Sequence, residues 1–113
     1  MNYLLLLYQD ENLWEKKSED EKAETMGAYF SYADALREAG AHIDGAPLEH
    51  SSTSKRVRTN RVQDGPFADA KEQLGGYFLI DVDNLDSALE WAARCPCAST
   101  GHVEVRPVWN IGG

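Results

Sequence analysis

Two short apolar runs constrain the fold of this 113-residue chain more than any other feature. The first is residues 3–8 (YLLLLY) and the second is residues 77–82 (YFLIDV), and both are apolar at odd and at even positions. Because side chains alternate between the two faces of a strand, such runs predict strands that are covered on both faces. Neither run approaches the roughly 20 apolar residues of a membrane-spanning helix. We therefore expect the centre of a sheet in one domain, residues 1–113, with no membrane partner.

Two helical patterns separate the predicted strands. Ser18 begins the capping-box sequence Ser-Glu-Asp-Glu, and Gly40 is placed to end the helix in a left-handed conformation. The apolar stripe of this helix recurs every three or four positions and comprises Ala23, Met26, Phe30, Ala33 and Leu36. A second helix is capped by Asn84 or Asp86 and ends at Pro96. Its stripe comprises Leu85, Ala88, Leu89 and Ala92.

Three weaker strand patterns complete the order of elements. Residues 41–48 fit an edge strand, residues 55–62 fit one alternating strand, and residues 102–108 fit the last strand. Residues 68–74 fit a helical turn before the second apolar run. Long helices between distant strands match the split β-α-β-β-α-β arrangement, so we predict an α+β protein with a ferredoxin-like sandwich fold.

The charge distribution narrows the choice of partners. Nineteen acidic and eleven basic residues give a net charge of −8, which disfavours direct binding of nucleic acid. The acids concentrate between residues 10 and 24, whereas Lys55, Arg56, Arg58 and Arg61 form a basic segment. That segment fits either a solvated strand whose long side chains protect a sheet edge or a site for an anion.

No motif in the sequence indicates a metal or a cofactor, and we expect neither. His42, His50 and His102 lack the spacing of a metal site, and Cys95 and Cys97 have no companion ligands. The two cysteines fit either buried small residues or exposed thiols at a helix end. A phosphate loop and a Gly-x-Ser-x-Gly elbow are both absent from the sequence. Because no basic segment precedes the first apolar run and no small-residue cleavage site follows it, we expect a cytoplasmic protein.

A family resemblance begins at Asp64. It is carried by the segment DGPFADAKEQLGGYFLIDVDNLDSALEWAARCP and by the later HVEVRPV, which closely resemble the YCII-related family in its branch marked by an Asp-Gly-Pro-Phe (DGPF) signature. The opening MNYLLLLYQDE and the segments ALREAGA and GAPL also resemble that branch. The resemblance implies a bacterial protein of ferredoxin-like fold that pairs as a dimeric α/β barrel. It also implies frequent encoding beside sigma factors of the extracytoplasmic-function type, and no settled activity.

Another branch of this family carries a candidate acid/base pair, a His on the first helix and an Asp just before a Pro on the second. Alignment on the glycine that ends the first helix places Tyr29 at the His position. Alignment on Pro96 places Cys95 at the Asp position. Both members of the pair are missing, so the pair is not carried over. Tyr29 stays a candidate ligand-binding residue because its hydroxyl can donate a proton.

Two carboxylates and one aromatic residue are the other candidates for ligand binding. Asp64 fits either a turn residue that accepts bonds from backbone N–H groups or a carboxylate at a pocket mouth, with Phe67 as an apolar wall. Asp81 interrupts the second apolar run and shares a strand face with Tyr77. If that face lines an enclosed space, burial would raise the pKa of Asp81 toward the range useful for proton transfer. The alternative is a strand-end Asp bonded to an arginine or to backbone.

Two functions remain open at this level. The missing acid/base pair favours a small-molecule-binding or regulatory protein linked to sigma-factor signalling. The alternative is a cofactor-independent isomerase or lyase acting on a small polar or aromatic molecule, with Asp81 or Asp64 as acid/base and the basic segment as an anion anchor. A homodimer is expected in either case, because two helices on one face of the sheet leave an apolar face uncovered.

Overall fold

The computed structural model describes residues 1–67 and 71–111. Its elements are β1 (Asn2–Gln9), α1 (Glu11–Glu15), α2 (Glu19–Glu38), β2 (His42–Pro47), β3 (Lys55–Arg58), β4 (Arg61–Asp64), β5 (Gln73–Asp81), α3 (Leu85–Arg94) and β6 (His102–Pro107). Short 3-10 turns lie at Ser51–Thr53 and Pro96–Ser99. Among the described residues, no helix is long and apolar enough to cross a membrane.

The main sheet is antiparallel and has the strand order β2-β5-β1-β6. β1 is a central strand, so that Leu5 lies opposite Phe78 of β5 on one side and Val105 of β6 on the other. This is the strand order of a ferredoxin-like fold, in which the first and third main strands are central. The α+β class and the two central apolar strands are therefore as the sequence predicts.

The local signals at the helix ends are also confirmed. Ser18 and Glu21 form the reciprocal bonds of a capping box at the start of α2. Gly40 follows the end of that helix with φ +71°, a conformation that costs glycine little. Asn84, and not Asp86, caps α3 by accepting a bond from the Ser87 N–H.

The hydrophobic core lies between one face of the sheet and the two long helices. Tyr3, Leu5 and Leu7 of β1 are buried on this face, whereas the alternate residues Leu4 and Leu6 are half-buried on the other. The remaining buried hydrophobic residues are Tyr32, Ala33, Leu36, Ala41, Phe78, Ile80, Ala88, Ala92, Cys95 and Cys97. The face that carries Leu4 and Leu6 is called the open face below.

The packing face of α2 differs from the predicted stripe. Phe30 is 64% exposed, and Tyr32 occupies the core in its place. The Tyr32 hydroxyl donates a hydrogen bond to the Trp91 carbonyl oxygen at 2.7 Å, which satisfies its polar group inside the core. Spacing alone did not distinguish the two aromatic positions, because the choice depends on contacts with α3.

The prediction of one strand over residues 55–62 is wrong. The chain turns at Thr59–Asn60, and β3 pairs with β4 as a separate two-stranded hairpin. Alternating polar and apolar residues favoured a single strand, but nearly every residue of the hairpin is exposed, so no core contact keeps the segment straight.

The helical turn predicted over residues 68–74 falls partly outside the described residues. Gln73 and Leu74 belong to β5, where they pair with Gln9 and Tyr8. The ladder is irregular between Leu7 and Tyr8, and Gly75 is the extra residue on β5. The strand therefore extends four residues further toward the N-terminus than the apolar run indicated.

Replacement of Leu36 tests which residues form the core. Leu36→Ala removes a fully buried side chain and should lower the free energy of unfolding by about 2–5 kcal/mol. Leu89→Ala is the matched control, because Leu89 lies on the other long helix with 47% of its surface exposed, and it should cost less than about 1 kcal/mol. Urea denaturation measures both values. Equal losses would contradict the packing described here.

Candidate functional site

A pocket of about 690 Å³ lies at one end of the open face. Tyr8 and Leu74, which are cross-strand neighbours on the open face, form its sheet wall. The facing wall is Pro66 and Phe67 of the Asp-Gly-Pro-Phe segment. The other lining residues are Pro47, Leu48, Glu49, Ser51, Thr53, Ser54, Glu72 and Gln73. The volume lies in the range that holds small-molecule ligands, and the mixture of apolar walls with a few polar groups is typical of such sites.

Glu11 holds the polar side of the pocket in place. Its carboxylate accepts hydrogen bonds from the backbone N–H of Ser51 at 2.7 Å and from the Ser51 hydroxyl at 2.8 Å. The backbone N–H of Glu11 donates to the Gln73 side chain at 3.1 Å. The carboxylate is only 15% exposed, so these bonds replace its lost hydration. Glu11 thus ties the start of α1 to two walls of the pocket, a role for which the sequence gives no signal.

The Asp-Gly-Pro-Phe segment packs against the same serine-rich turn. The Gly65 N–H donates to the Ser54 carbonyl oxygen at 2.6 Å. A Cβ atom at Gly65 would lie 2.9 Å from the Ser54 side chain and 3.0 Å from the Phe67 ring, so only glycine fits without a shift. This close approach places Phe67 in the pocket wall, where the sequence analysis expected an apolar residue.

Two bases of the hairpin contact this segment. The Arg56 guanidinium lies 4.3 Å from the centre of the Phe67 ring, which is a cation–π geometry. Lys55 forms an ion pair with Asp64 at 2.6 Å. Asp64 is 78% exposed and lies outside the lining of the pocket. Within the described residues it contacts the Lys55 side chain and accepts no bond from a backbone N–H group.

A histidine–carboxylate pair stands beside the pocket. Nδ1 of His102 lies 2.6 Å from Oε1 of Glu72, and Glu72 lines the pocket. The imidazole stacks on the Tyr8 ring with 4.8 Å between ring centres and 6° between their planes. The sequence shows only that His102 lacks the spacing of a metal site, and it does not indicate this contact. The available signal was the ferredoxin-like strand order, which makes the start of the last strand a neighbour of the end of the first.

Buried groups beneath the stacked rings fix their position. The Cys97 thiol contacts the carbonyl oxygens of Tyr8 at 3.3 Å and of His102 at 3.6 Å. Burial raises the pKa of both thiols, that of Cys95 to about 11. Both cysteines are buried, as one of the two sequence interpretations expected, and their neutral thiols serve packing rather than nucleophilic chemistry.

The other two predicted ligand-binding residues lie elsewhere. Tyr29 lines a separate depression of about 350 Å³ between α1, α2 and the turn after α3, and burial raises the pKa of its hydroxyl. Asp81 is 59% exposed in the single chain and forms an ion pair with the Met1 amino group at 2.9 Å. Asp64, Phe67, Asp81 and Tyr29 are therefore not brought together, and only Phe67 lines the main pocket.

Tyr77 of β5 lies on the open face, opposite Leu6 of β1. Its hydroxyl donates to Oδ2 of Asp44 at 3.1 Å, and this hydrogen bond raises the pKa of Tyr77. Within residues 1–67 and 71–111, no group of three or more His, Cys, Asp or Glu side chains is arranged to hold a metal ion.

The strand order, the helices on one face and the pocket at the end of the other define an α+β protein of the ferredoxin-like class. The chain belongs to the YCII-related family, whose domain matches residues 1–111. A curated relative, the uncharacterized protein R00369 of Rhizobium meliloti (strain 1021), is 37% identical over 114 residues, covering 96% of this chain and 92% of the relative.

A solved structure supports the same fold. It is 5-chloro-2-hydroxyhydroquinone dehydrochlorinase (TftG) from Burkholderia phenoliruptrix AC1100, in complex with 2,5-dihydroxybenzoquinone. The TM-score is 0.55 at 16% sequence identity, and the alignment covers 99% of this chain and 96% of that one. At this identity the likeness shows the fold alone.

Gly101 provides a test of how the stacked rings are positioned. A Cβ atom at this position would overlap the Tyr8 carbonyl oxygen, so Gly101→Ala should cost about 1–3 kcal/mol of stability and separate His102 from Tyr8. Gly27→Ala is the control, because no atom lies within 4 Å of a Cβ there, and it should stabilise α2 by about 0.5–1 kcal/mol. Urea denaturation and the NMR shifts of the His102 ring report the two effects. An unchanged ring environment in Gly101→Ala would contradict this positioning role.

Proposed function

We propose that this chain binds a small hydroxylated ring compound in the pocket between the open face and the Asp-Gly-Pro-Phe segment. The observation that carries the proposal is the composition of the walls. Two aromatic rings, Tyr8 and Phe67, lie among lining residues that supply three serine or threonine hydroxyls and two carboxylates. Aromatic faces suit a flat ring, and the polar groups fix its orientation through hydrogen bonds to ring hydroxyls.

The structural neighbour supports this choice of ligand class. TftG is solved with 2,5-dihydroxybenzoquinone, a small flat ring with two hydroxyl groups. The fold that the two chains share therefore accommodates such a compound in at least one protein. Arg56 stacks on the pocket-lining Phe67. In this proposal its guanidinium binds the ionised hydroxyl of those ring compounds that carry one.

A second candidate function is favoured by the contact between Glu72 and His102. A carboxylate that lines the pocket and receives a 2.6 Å hydrogen bond from an imidazole can act as a general base. It would take a proton from one carbon or hydroxyl of the ligand and return it at another atom, which is an isomerisation without a cofactor. Loss of a leaving group after the same proton abstraction would be a lyase reaction. Glu72 replaces Asp64 and Asp81 in this role because it lines the pocket and they do not.

The proposal includes a homodimer formed through the open face. Leu4, Leu6 and Leu79 form an apolar strip on this face that the helices do not cover. Pairing with a second copy would bury about 800 Å² per subunit. Twofold symmetry of this kind is the commonest among soluble homo-oligomers. Since Tyr8 and Leu74 belong both to this face and to the pocket, a partner would also close the pocket against water.

The sigma-factor partner, the cytoplasmic location and the membership of the signature branch remain predictions of the sequence. No contact within the described residues favours a sigma factor over another regulatory partner.

A thermal-shift experiment tests the binding proposal. 2,5-Dihydroxybenzoquinone and a set of di- and trihydroxybenzenes should raise the melting temperature, because a ligand at 100 times its Kd stabilises the native state by about 2.7 kcal/mol. Phe67→Ala should abolish the shift, whereas Leu89→Ala on the helix surface should retain it. The assignment of the pocket would be contradicted if no compound raised the melting temperature of the wild type, or if a compound raised that of Phe67→Ala by the same amount.

Product analysis then separates the two candidate functions. A compound recovered unchanged supports binding, whereas a converted compound supports the isomerase or lyase. Glu72→Gln should abolish conversion and retain the thermal shift, because it removes the basic carboxylate but keeps a polar side chain of similar size.

The homodimer is tested by charges placed on the two faces of β1. Leu6→Asp puts a carboxylate on the apolar strip and should yield a folded monomer, since it opposes pairing without entering the core. Leu5→Asp places the same charge in a fully buried position and should unfold the chain. Light scattering should give about twice the 12.6 kDa chain mass for the wild type and the single mass for Leu6→Asp. A wild type that stays monomeric at high concentration would contradict the dimer.

A further inference from the structure

The β3–β4 hairpin, residues 55–64, extends from the domain with almost no cover; it is called the arm below. Of its residues only Gln63 is half-buried, and the others are exposed. Val57 and Val62, which lie opposite each other, are 70% and 65% exposed. A two-stranded hairpin without packing against another surface is marginally stable in water. The arm therefore has the properties of an element that is completed by a partner.

The two faces of the arm have different chemistry. The cross-strand pairs Lys55–Asp64 and Val57–Val62 share one face by alternation, and Arg56–Gln63 and Arg58–Arg61 share the other. Two arginines directly opposite each other repel, which destabilises the hairpin when it is alone. Within the described residues neither Arg58 nor Arg61 has an ion-pair partner, whereas Lys55 pairs with Asp64 and Arg56 stacks on Phe67. The tip of the arm thus lacks both a countercharge and an apolar cover.

A surface that supplies both lies beside α1 and α2 of the same chain. The depression of about 350 Å³ beside α1 and α2 is called the acidic groove below. Its apolar lining includes Leu13, which is 49% exposed, and Trp14. Carboxylates line it as well, namely Asp10, Glu21 and Glu24. Residues 10–24 contain seven acids and three lysines, so the surroundings are acidic although Lys17 also lines the groove.

The arm does not occupy this groove in its own chain. Within the described residues, its side-chain ion pair and ring contact are with itself and with Phe67. In the groove, the Glu24 carboxylate has no hydrogen-bond or ion-pair partner within the described residues. The Asp10 and Glu21 carboxylates accept bonds from the backbone N–H groups of Asn12 and Ser18, and neither of them forms an ion pair within the described residues. The two arginines at the tip of the arm and the three groove carboxylates therefore all lack an ion-pair partner in the described part of their own chain.

We propose that the arm of one copy docks into the acidic groove of a second copy. Arg58 and Arg61 would meet the groove carboxylates, which removes the repulsion between the two arginines. The valine pair, on the opposite face of the arm, would cover Leu13 and Trp14. Both faces can be in contact at once because the walls of a groove lie on two sides of an inserted hairpin. A small anion satisfies the arginines but leaves the valines in water, so a protein surface fits the arm better. A second copy fits best because it presents acidic and apolar groups together.

A charge-exchange experiment tests this docking. The arm variant Arg58→Glu/Arg61→Glu and the groove variant Glu21→Arg/Glu24→Arg should each weaken self-association at low salt by at least about tenfold in Kd. An equimolar mixture of the two variants should restore the wild-type Kd, because each reversed arm then faces a reversed groove. Sedimentation velocity measures the association, and circular dichroism shows whether each variant is folded. Salt should weaken the wild-type association by screening.

Arg37→Glu/Lys71→Glu is the matched control. It makes the same change in net charge at exposed positions outside the arm and the groove, and its Kd should stay within about threefold of the wild type. The proposal would be overturned if the arm variant associated with the wild-type Kd, or if a mixture of folded arm and groove variants failed to restore that Kd. If the arm variant associates normally but loses retention on heparin, the proposal is likewise overturned and the arm is assigned to a polyanion.

Discussion

The antiparallel pairing of β1 with β5 on one side and β6 on the other determines most of what this chain can do. That register puts Leu5 opposite both Phe78 and Val105 and so forms the centre of the core. The register with β6 continues to the end of β1 and places Tyr8 beside His102, and the irregularity at Gly75 brings Leu74 of β5 opposite Tyr8 on the other side. The stability of the core and the geometry of the pocket are therefore consequences of one alignment, and a slip of a single residue would lose both.

The pocket combines parts that are fixed by different means. Tyr8 and His102 belong to strands and are held from below by the Cys97 thiol, so their positions are those of the rigid sheet. Phe67 belongs to a loop that depends on the close approach of Gly65 to Ser54. The wall formed by Tyr8 is thus held by the sheet, whereas the wall formed by Phe67 is held by only a few loop contacts. This division suits the proposed ligands, which are rings of similar shape with different substituents.

The sequence predicts the local parts of this structure well and the long-range parts poorly. The Ser18 capping box and the Gly40 conformation depend on neighbours a few positions away, and both are as predicted. The pair of Glu72 and His102 joins residues 30 positions apart, and composition offers no signal for it. The exposure of Phe30 shows the same limit, because helical spacing was satisfied by two aromatic choices and only contact with α3 decides between them.

Because Gly75 is the unpaired residue of β5, the length of this strand can change there without changing which side chains face the pocket. If Gly75 were paired regularly with Tyr8, Leu74 would lie opposite Gln9 and face the helices, and Gln73 would take its place on the open face. An insertion or deletion at Gly75 changes only the bulge, whereas the same change at Leu79 would invert the facing of the rest of the strand. Gly75 is consequently the position at which this strand tolerates a change in length while Tyr8 and Leu74 stay together in the wall of the pocket.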